Sequence, residues 1–323
     1  MSKNITLSVV IPCYNEEGGL HELHRRVKAV CQSIIGDSYE IVLVNDGSKD
    51  NTWRLMRDIA DSDSHLVLVN LSRNFGHQIA LSAGLQISRG ERVFILDADL
   101  QDPPEILNEM MLTMDKGIDV VYGQRIKREG ESLFKKKSAY IFYRLLNWLT
   151  EIEIPKDTGD FRLMSRRAVN TLNSMPEHYR FIRGMVSWIG FRQAAILYER
   201  DKRFEGTTKY SLRKMISLAF DAMTAFSIRP LRLATYLGFI FGIFAIFALF
   251  YVFTSYFLHH TTRGWTSLAA IILTIGSVQM VIIGLMGEYL GRLYVESKNR
   301  PLFVIQEVVA SREFSSSLTS PEK

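Results

Sequence analysis

From Leu233 to Leu258 the chain runs for 26 residues without one Asp, Glu, Lys or Arg, and from Gly264 to Gly287 it does so for 24 more. A helix needs about 20 apolar residues to cross the hydrocarbon core of a bilayer. Only His259 to Arg263 join the two stretches. The pattern predicts two transmembrane helices in a tight hairpin, with a pair of helices buried in a soluble core as the alternative. Arg229 and Arg232 precede the first stretch, Arg292, Lys298 and Arg300 follow the second, and the loop between them holds Arg263 alone. That bias predicts both termini, and the bulk of the chain, on the cytoplasmic side of the membrane. The opening MSKNITLSVVIP breaks into PCYNEE, too soon for a signal peptide.

The remainder reads differently. Leu7–Ile11, Glu40–Val44, Leu66–Leu71, Val93–Leu96 and Val120–Tyr122 are short apolar runs rich in Val, Ile and Leu. Continuous runs of this kind mark strands buried on both faces. Helical patterns lie between them over Glu17–Ser33, Thr52–Ala60 and Pro103–Lys116. The alternation predicts an α/β fold with a mostly parallel sheet, complete before Arg229. The expected organisation is a soluble domain over 1–210, a juxtamembrane amphipathic helix over 211–232, the two membrane helices over 233–292 and a cytoplasmic tail over 293–323. Two cysteines, Cys13 and Cys31, exclude a disulfide scaffold and a multi-cysteine zinc site. The net charge of +5 does not by itself choose between nucleic acid and membrane.

Ligands of open parallel sheets bind at the carboxyl ends of the strands. Here those ends are polar: Pro12-Cys13-Tyr14-Asn15-Glu16-Glu17, Asn45-Asp46-Gly47-Ser48, Asp97-Ala98-Asp99-Leu100-Gln101-Asp102 and Gly123-Gln124-Arg125. No GxGxxG follows the first strand and no GxxxxGK[ST] occurs, so the common dinucleotide and P-loop fingerprints are missing. Asp97 and Asp99, two carboxylates at i and i+2 after an apolar strand, can address one hard divalent cation and the ribose beside it. The bland alternative is capping of the helix that Pro103 opens.

VVIPCYNEE (9–17), VNDGSKDNT (44–52), DADLQDPPE (97–105), GQR (123–125), TGDFRL (158–163) and RFEGTTKYS (203–211) together resemble the inverting family 2 glycosyltransferases of GT-A (Rossmann-like) fold. Within them the chain is most similar to the polyprenyl-phosphate branch, which includes dolichol-phosphate mannose synthases and GtrB-type bactoprenol glucosyltransferases. The resemblance implies that Pro12, Tyr14 and Glu16 line a nucleobase pocket and that Asp46 contacts the base edge. It gives Asp97 and Ala98 nucleotide contacts, Asp99 and Gln101 a Mg²⁺ or Mn²⁺ on the diphosphate, and Arg125 an approach to the phosphates from the other side. Lys135 and Ser138 stand loosely for the family's basic acceptor element. Asp157 and Asp160 fall where the family keeps its acceptor-side acid. The QxxRW signature of processive members is missing.

Residues 134–149 and 211–228 are basic and amphipathic, as helices lying in a headgroup plane are; packing against the sheet is the other reading. The cluster Arg200, Lys202, Arg203 and Lys209 suits anionic headgroups in general or one lipid phosphate, and the resemblance favours the second through Arg203 and Lys209. It implies a nucleotide-sugar donor, UDP-glucose before a mannosyl or modified-pentose donor, and undecaprenyl phosphate as acceptor. Membrane lipids and a homo-oligomer are further partners, and nucleic acid is not one. A membrane-anchored nucleotide-sugar sensor without turnover is the rival from another class.

Overall fold

The computed structural model describes residues 5–126, 155, 158–199, 229–257 and 264–310. The segments expected as interfacial helices, 134–149 and 211–228, lie outside them. The chain divides into two compact units, residues 1–143, 152–212 and 301–323 in the first, and 144–151 and 213–300 in the second.

The first unit is built on an eight-stranded sheet. Its strands are β1 (Leu7–Cys13), β2 (Tyr39–Asn45), β3 (Leu66–Leu71), β4 (Arg92–Ile95), β5 (Val120–Arg125), β6 (Thr158–Ser165), β7 (Gln193–Tyr198) and β8 (Ile305–Ala310). They are ordered β7-β5-β6-β4-β1-β2-β3-β8. β1 pairs in parallel with β2 on one side and β4 on the other, so the strand order reverses there. Such a switch point opens the crevice in which ligands of this architecture sit. β6 runs antiparallel between β4 and β5, which brings its first residues to the same rim where β4 and β5 end.

The apolar runs became strands because both faces are covered: every residue of β1, β2 and β3 is buried. Pro12 is tolerated inside β1 by its position. Val10 accepts the last bond from β4, at Leu96, so the missing N–H of Pro12 falls beyond that ladder. α1 (Leu20–Ile35) buries Leu20, Leu23, Val27 and Cys31 on one stripe. α2 (Thr52–Ala60) and α3 (His77–Ile87) precede a 3₁₀ turn at Pro104–Ile106 that leads into α4 (Leu107–Met114). α5 (Arg166–Ser174) and α6 (Ile182–Trp188) complete the unit. Phe94 and Phe161 meet edge to face with centroids 5.3 Å apart, and Phe161 meets Tyr198 at the same distance.

One expectation needs correcting. The sheet is not complete before Arg229. β8 is drawn from the segment read as a tail and adds antiparallel to β3, where Val309 packs against the core. An unpaired β3 would offer a row of open N–H and C=O groups, and β8 satisfies them.

The second unit holds α7 (Arg229–Phe257) and α8 (Trp265–Ser297), 29 and 33 residues long. Both charge-poor stretches are thus helical. Among the described residues Thr274–Ser297 is long and apolar enough to cross a membrane by length and composition, and Ala234–Phe244 is a shorter apolar segment.

Candidate active site

The ends of β1 and β2 carry a braced loop pair. The Asn15 N–H donates to Ser48 Oγ at 3.1 Å and the Lys49 N–H returns to Asn15 Oδ1 at 2.8 Å. The Glu16 N–H reaches Thr52 Oγ1 at 2.9 Å, and Glu17 Oε2 accepts from the Asn51 N–H at 2.9 Å. Together with the end of β4 these loops surround a cavity of about 470 Å³ lined by Asn15, Glu16, Lys49, Asp50, Ala98 and Asp99, among others. Asn15 (φ 55°) and Leu100 (φ 56°) on its wall adopt left-handed backbone. Asn tolerates that region, but for Leu it costs about 1–2 kcal/mol, the kind of strain that gathers at binding sites.

Three sequence-assigned residues therefore line one cavity: Glu16, Ala98 and Asp99. Pro12 is buried within β1, and Tyr14, one residue past the end of that strand, is 41% exposed. Gln101 donates its backbone N–H to Asp99 Oδ1 at 3.2 Å. Asp46 has another occupation. Its carboxylate, 2% exposed, accepts the N–H groups of Phe75 at 2.7 Å and Gly76 at 3.0 Å. Gly47 (φ 62°) makes this possible, because a Cβ there would sit 2.5 Å from the backbone of Arg73 and Asn74. Burial pushes the Asp46 carboxyl up, against the pull of those two amides. Asp46 thus anchors the turn that starts α3.

That turn delivers a group the sequence reading passed over. His77 Nε2 lies 3.5 Å from Asp97 Oδ1 and 3.3 Å from Asp160 Oδ2. Burial pulls the imidazole down, but the Asp160 contact and the two carboxylate charges outweigh it and push its pKa up to about 9. Asp160, 1% exposed, is a hub: Gln78 Nε2 donates to Oδ2 at 2.7 Å and Arg183 Nε to Oδ1 at 3.0 Å. Gln78 Oε1 in turn accepts from the Ile182 N–H at 2.9 Å. Burial would raise the Asp160 carboxyl, yet Arg183 and His77 hold it well below the usual range. Asp97 is treated oppositely. Burial and the charges of Asp160, Asp102 and Asp99 push it up to about 6 in spite of His77.

Arg125, at the end of β5, is held through two of its nitrogens. Nε donates to the Tyr198 hydroxyl at 3.1 Å, and Nη2 lies 3.5 Å from Asp102 Oδ1. Tyr198 also donates to Asp102 Oδ1, at 2.5 Å. Asp157, Lys135, Ser138, Arg203 and Lys209 lie outside the described residues.

Oxygen donors at a strand end suit a hard cation, and Asp97 Oδ1 is buried without a hydrogen-bond partner. Among the described residues no group of three or more His, Cys, Asp and Glu could hold a metal. The two carboxylates therefore fit a cation whose remaining ligands come from a substrate diphosphate and water, as Mg²⁺ prefers. His77, Gln78, Asp102, Arg183 and Tyr198 were absent from the sequence assignment. The end of β3, Ser72-Arg73-Asn74-Phe75-Gly76-His77, is as polar as the ends that were singled out, and that was the usable signal.

A switch-point crevice at the carboxyl ends of the strands, with a braced loop pocket and a two-carboxylate end, is where ligands of this sheet architecture bind. Residues 8–172 match the family described as Glycosyl transferase family 2, and residues 229–293 match the GtrB C-terminal hairpin. An uncharacterized glycosyltransferase of Bacillus subtilis (strain 168) is 44% identical over 308 residues, covering 95% of each chain. The prophage bactoprenol glucosyl transferase homolog of Escherichia coli (strain K12) is 37% identical over 303 residues, 94% of this chain and 99% of that one. The bactoprenol glucosyl transferase of Shigella phage SfV is 37% identical over 301 residues, 93% of this chain and 98% of that one. The chain belongs to glycosyl transferase family 2 and is an enzyme of glycosyl transfer with a GtrB-type hairpin.

Proposed function

We propose that the chain moves glucose from UDP-glucose to the phosphate of undecaprenyl phosphate at the cytoplasmic face of the membrane, with inversion at the anomeric carbon. The observation that carries this reading is the alignment with bactoprenol glucosyl transferases over nearly the whole of both chains, hairpin included. In this reading Pro12, Tyr14 and Glu16 receive the nucleobase, Asp97 and Ala98 the nucleotide, and Arg125 the diphosphate. Asp97, Asp99 and Gln101 hold Mg²⁺ or Mn²⁺, which when bound neutralises charge on the departing diphosphate. α7 and α8 form the membrane hairpin.

An oxygen of the lipid phosphate forms the new bond to the anomeric carbon, and the bond from that carbon to the donor's diphosphate oxygen breaks. With a second pKa near 6, the phosphate is already largely ionised at neutral pH. A carboxylate held as low as Asp160 is a weak base. Its part is to position His77 and Arg183 at the rim, where their cationic groups favour an anionic acceptor. Asp157, Lys135, Ser138, Arg203 and Lys209 are assigned to the acceptor side by resemblance. The test is transfer of label from UDP-[¹⁴C]glucose into the organic phase by purified protein in detergent with undecaprenyl phosphate and Mg²⁺. Label that stays in water as free glucose, or transfer from GDP-mannose alone, overturns the assignment.

A further inference from the structure

Three segments far apart in sequence meet behind Arg125. Asp102 closes the DADLQD loop three residues beyond Asp99, Gly159 is the second residue of β6, and Tyr198 ends β7. Asp102 is fully buried and Tyr198 is 3% exposed. The Tyr198 hydroxyl stands between the other two groups, donating to Asp102 Oδ1 at 2.5 Å and accepting from Arg125 Nε at 3.1 Å. Arg125 Nη2 closes the triangle at 3.5 Å from Asp102 Oδ1. The guanidinium crosses the bare Cα of Gly159, where a Cβ would lie 2.9 Å from Nη2. The Tyr198 ring is itself seated edge to face on Phe161. Arg125 is therefore clamped through Nε and Nη2, while Nη1 donates to no group among the described residues and the side chain is 24% exposed.

We propose that Tyr198 is a positioning residue for Arg125, holding its guanidinium at the rim with Nη1 directed to the donor diphosphate. A guanidinium binds phosphate well because its donors are rigid and planar, and that benefit needs the group fixed before the ligand arrives. Asp102 alone does not fix it at 3.5 Å; the hydroxyl supplies the shorter bond. Asp102 and Asp99 share one loop, so the clamp also sets Arg125 relative to the carboxylate end of β4.

The inference rests on the reading of Arg125 as a diphosphate contact, and binding is measured apart from transfer to keep the two separable. UDP and GDP are titrated by calorimetry, with Mg²⁺, into the full-length protein in detergent. Tyr198→Phe keeps the ring on Phe161 and removes only the hydroxyl. It should weaken binding of the preferred nucleotide about tenfold, since hydrogen bonds to charged groups are of that size. Arg125→Ala should weaken it at least as much. The double variant should bind no worse than Arg125→Ala, because the hydroxyl acts through the guanidinium. Additive losses, or wild-type affinity in Tyr198→Phe, overturn the proposal. Asp102→Asn keeps an acceptor for the hydroxyl and should show the same non-additivity with Arg125→Ala, which covers a Tyr198 variant that fails to fold. Wild-type protein that binds neither nucleotide overturns the donor reading and the clamp together. Wild-type protein that binds and obeys the cycle but transfers no sugar to lipid overturns the acceptor reading alone.

Discussion

Asp97 and Asp160 share one imidazole nitrogen, His77 Nε2, and their surroundings drive them apart: one carboxyl is pushed up to about 6, the other held well below its usual range. Groups separated in this way divide roles between them. Asp97→Asn and Asp99→Asn should each abolish transfer, and chelation should do the same until Mg²⁺ is restored. In metal-free buffer Asp97→Asn should also raise stability by about 1 kcal/mol, because it removes a charge that burial and neighbouring carboxylates disfavour. Asp160→Asn should do the reverse. Arg183 and His77 lose their common anion, and we expect a stability loss of about 2–3 kcal/mol together with the activity. Thermal melting of the three variants separates the cases. The DADLQD and GQR groups were legible in the sequence because they end recognisable strands. His77 was not, because its position comes from the β3–α3 turn that Asp46 ties down.

At the scale of elements, β1 to β5 and α2 could be read from apolar runs and periodicity, and α2 matches residue for residue. β6 was quoted only as a motif, since TGDFRLMS mixes buried Asp160 and Arg162 into a strand that pattern rules treat as polar. β8 was missed because IQEVVA is six residues long and pairs with a strand more than 230 positions away. Truncation after Arg300 should therefore lower the Tm by about 5 °C or more and promote self-association through the bared β3 edge, measurable by calorimetry and light scattering. The turn between α2 and β3 has its own pH signature. Asp63 Oδ2 lies 2.8 Å from His24 Nε2 and 3.0 Å from Lys28 Nζ, and Oδ1 accepts from the His65 N–H at 3.1 Å. Burial raises the carboxyl, but these partners outweigh it and set it well below the usual range. A depressed folded-state pKa gives stability that is complete above the unfolded value of about 3.9 and is lost as pH falls through the folded one. Denaturant titrations from pH 5 to 2 should fall more steeply for wild type than for Asp63→Asn; equal slopes would remove Asp63 from the account.

The whole molecule interrupts one sheet with a membrane hairpin: β7 precedes α7 and α8, and β8 follows them. A chain cut at Arg229 loses the anchor and a strand together. Replacing residues 229–297 by a flexible linker while keeping β8 should instead give a protein that still binds UDP with Mg²⁺, whereas the cut chain should bind weakly and aggregate. Equal binding by both would make β8 dispensable. The sequence showed the hairpin through its missing charges, but nothing in it marked the return of the chain to the β3 edge. The central claim, inverting transfer of glucose to a lipid phosphate, is tested most directly by the anomeric configuration of the product. Undecaprenyl phosphate and UDP-α-glucose are incubated with the full-length protein, and the extracted lipid is examined by ¹H NMR at the anomeric proton. The account predicts a β-linked glucosyl phosphate with the large axial–axial coupling; an α-linked lipid, or glucose released to water with none on lipid, would contradict it.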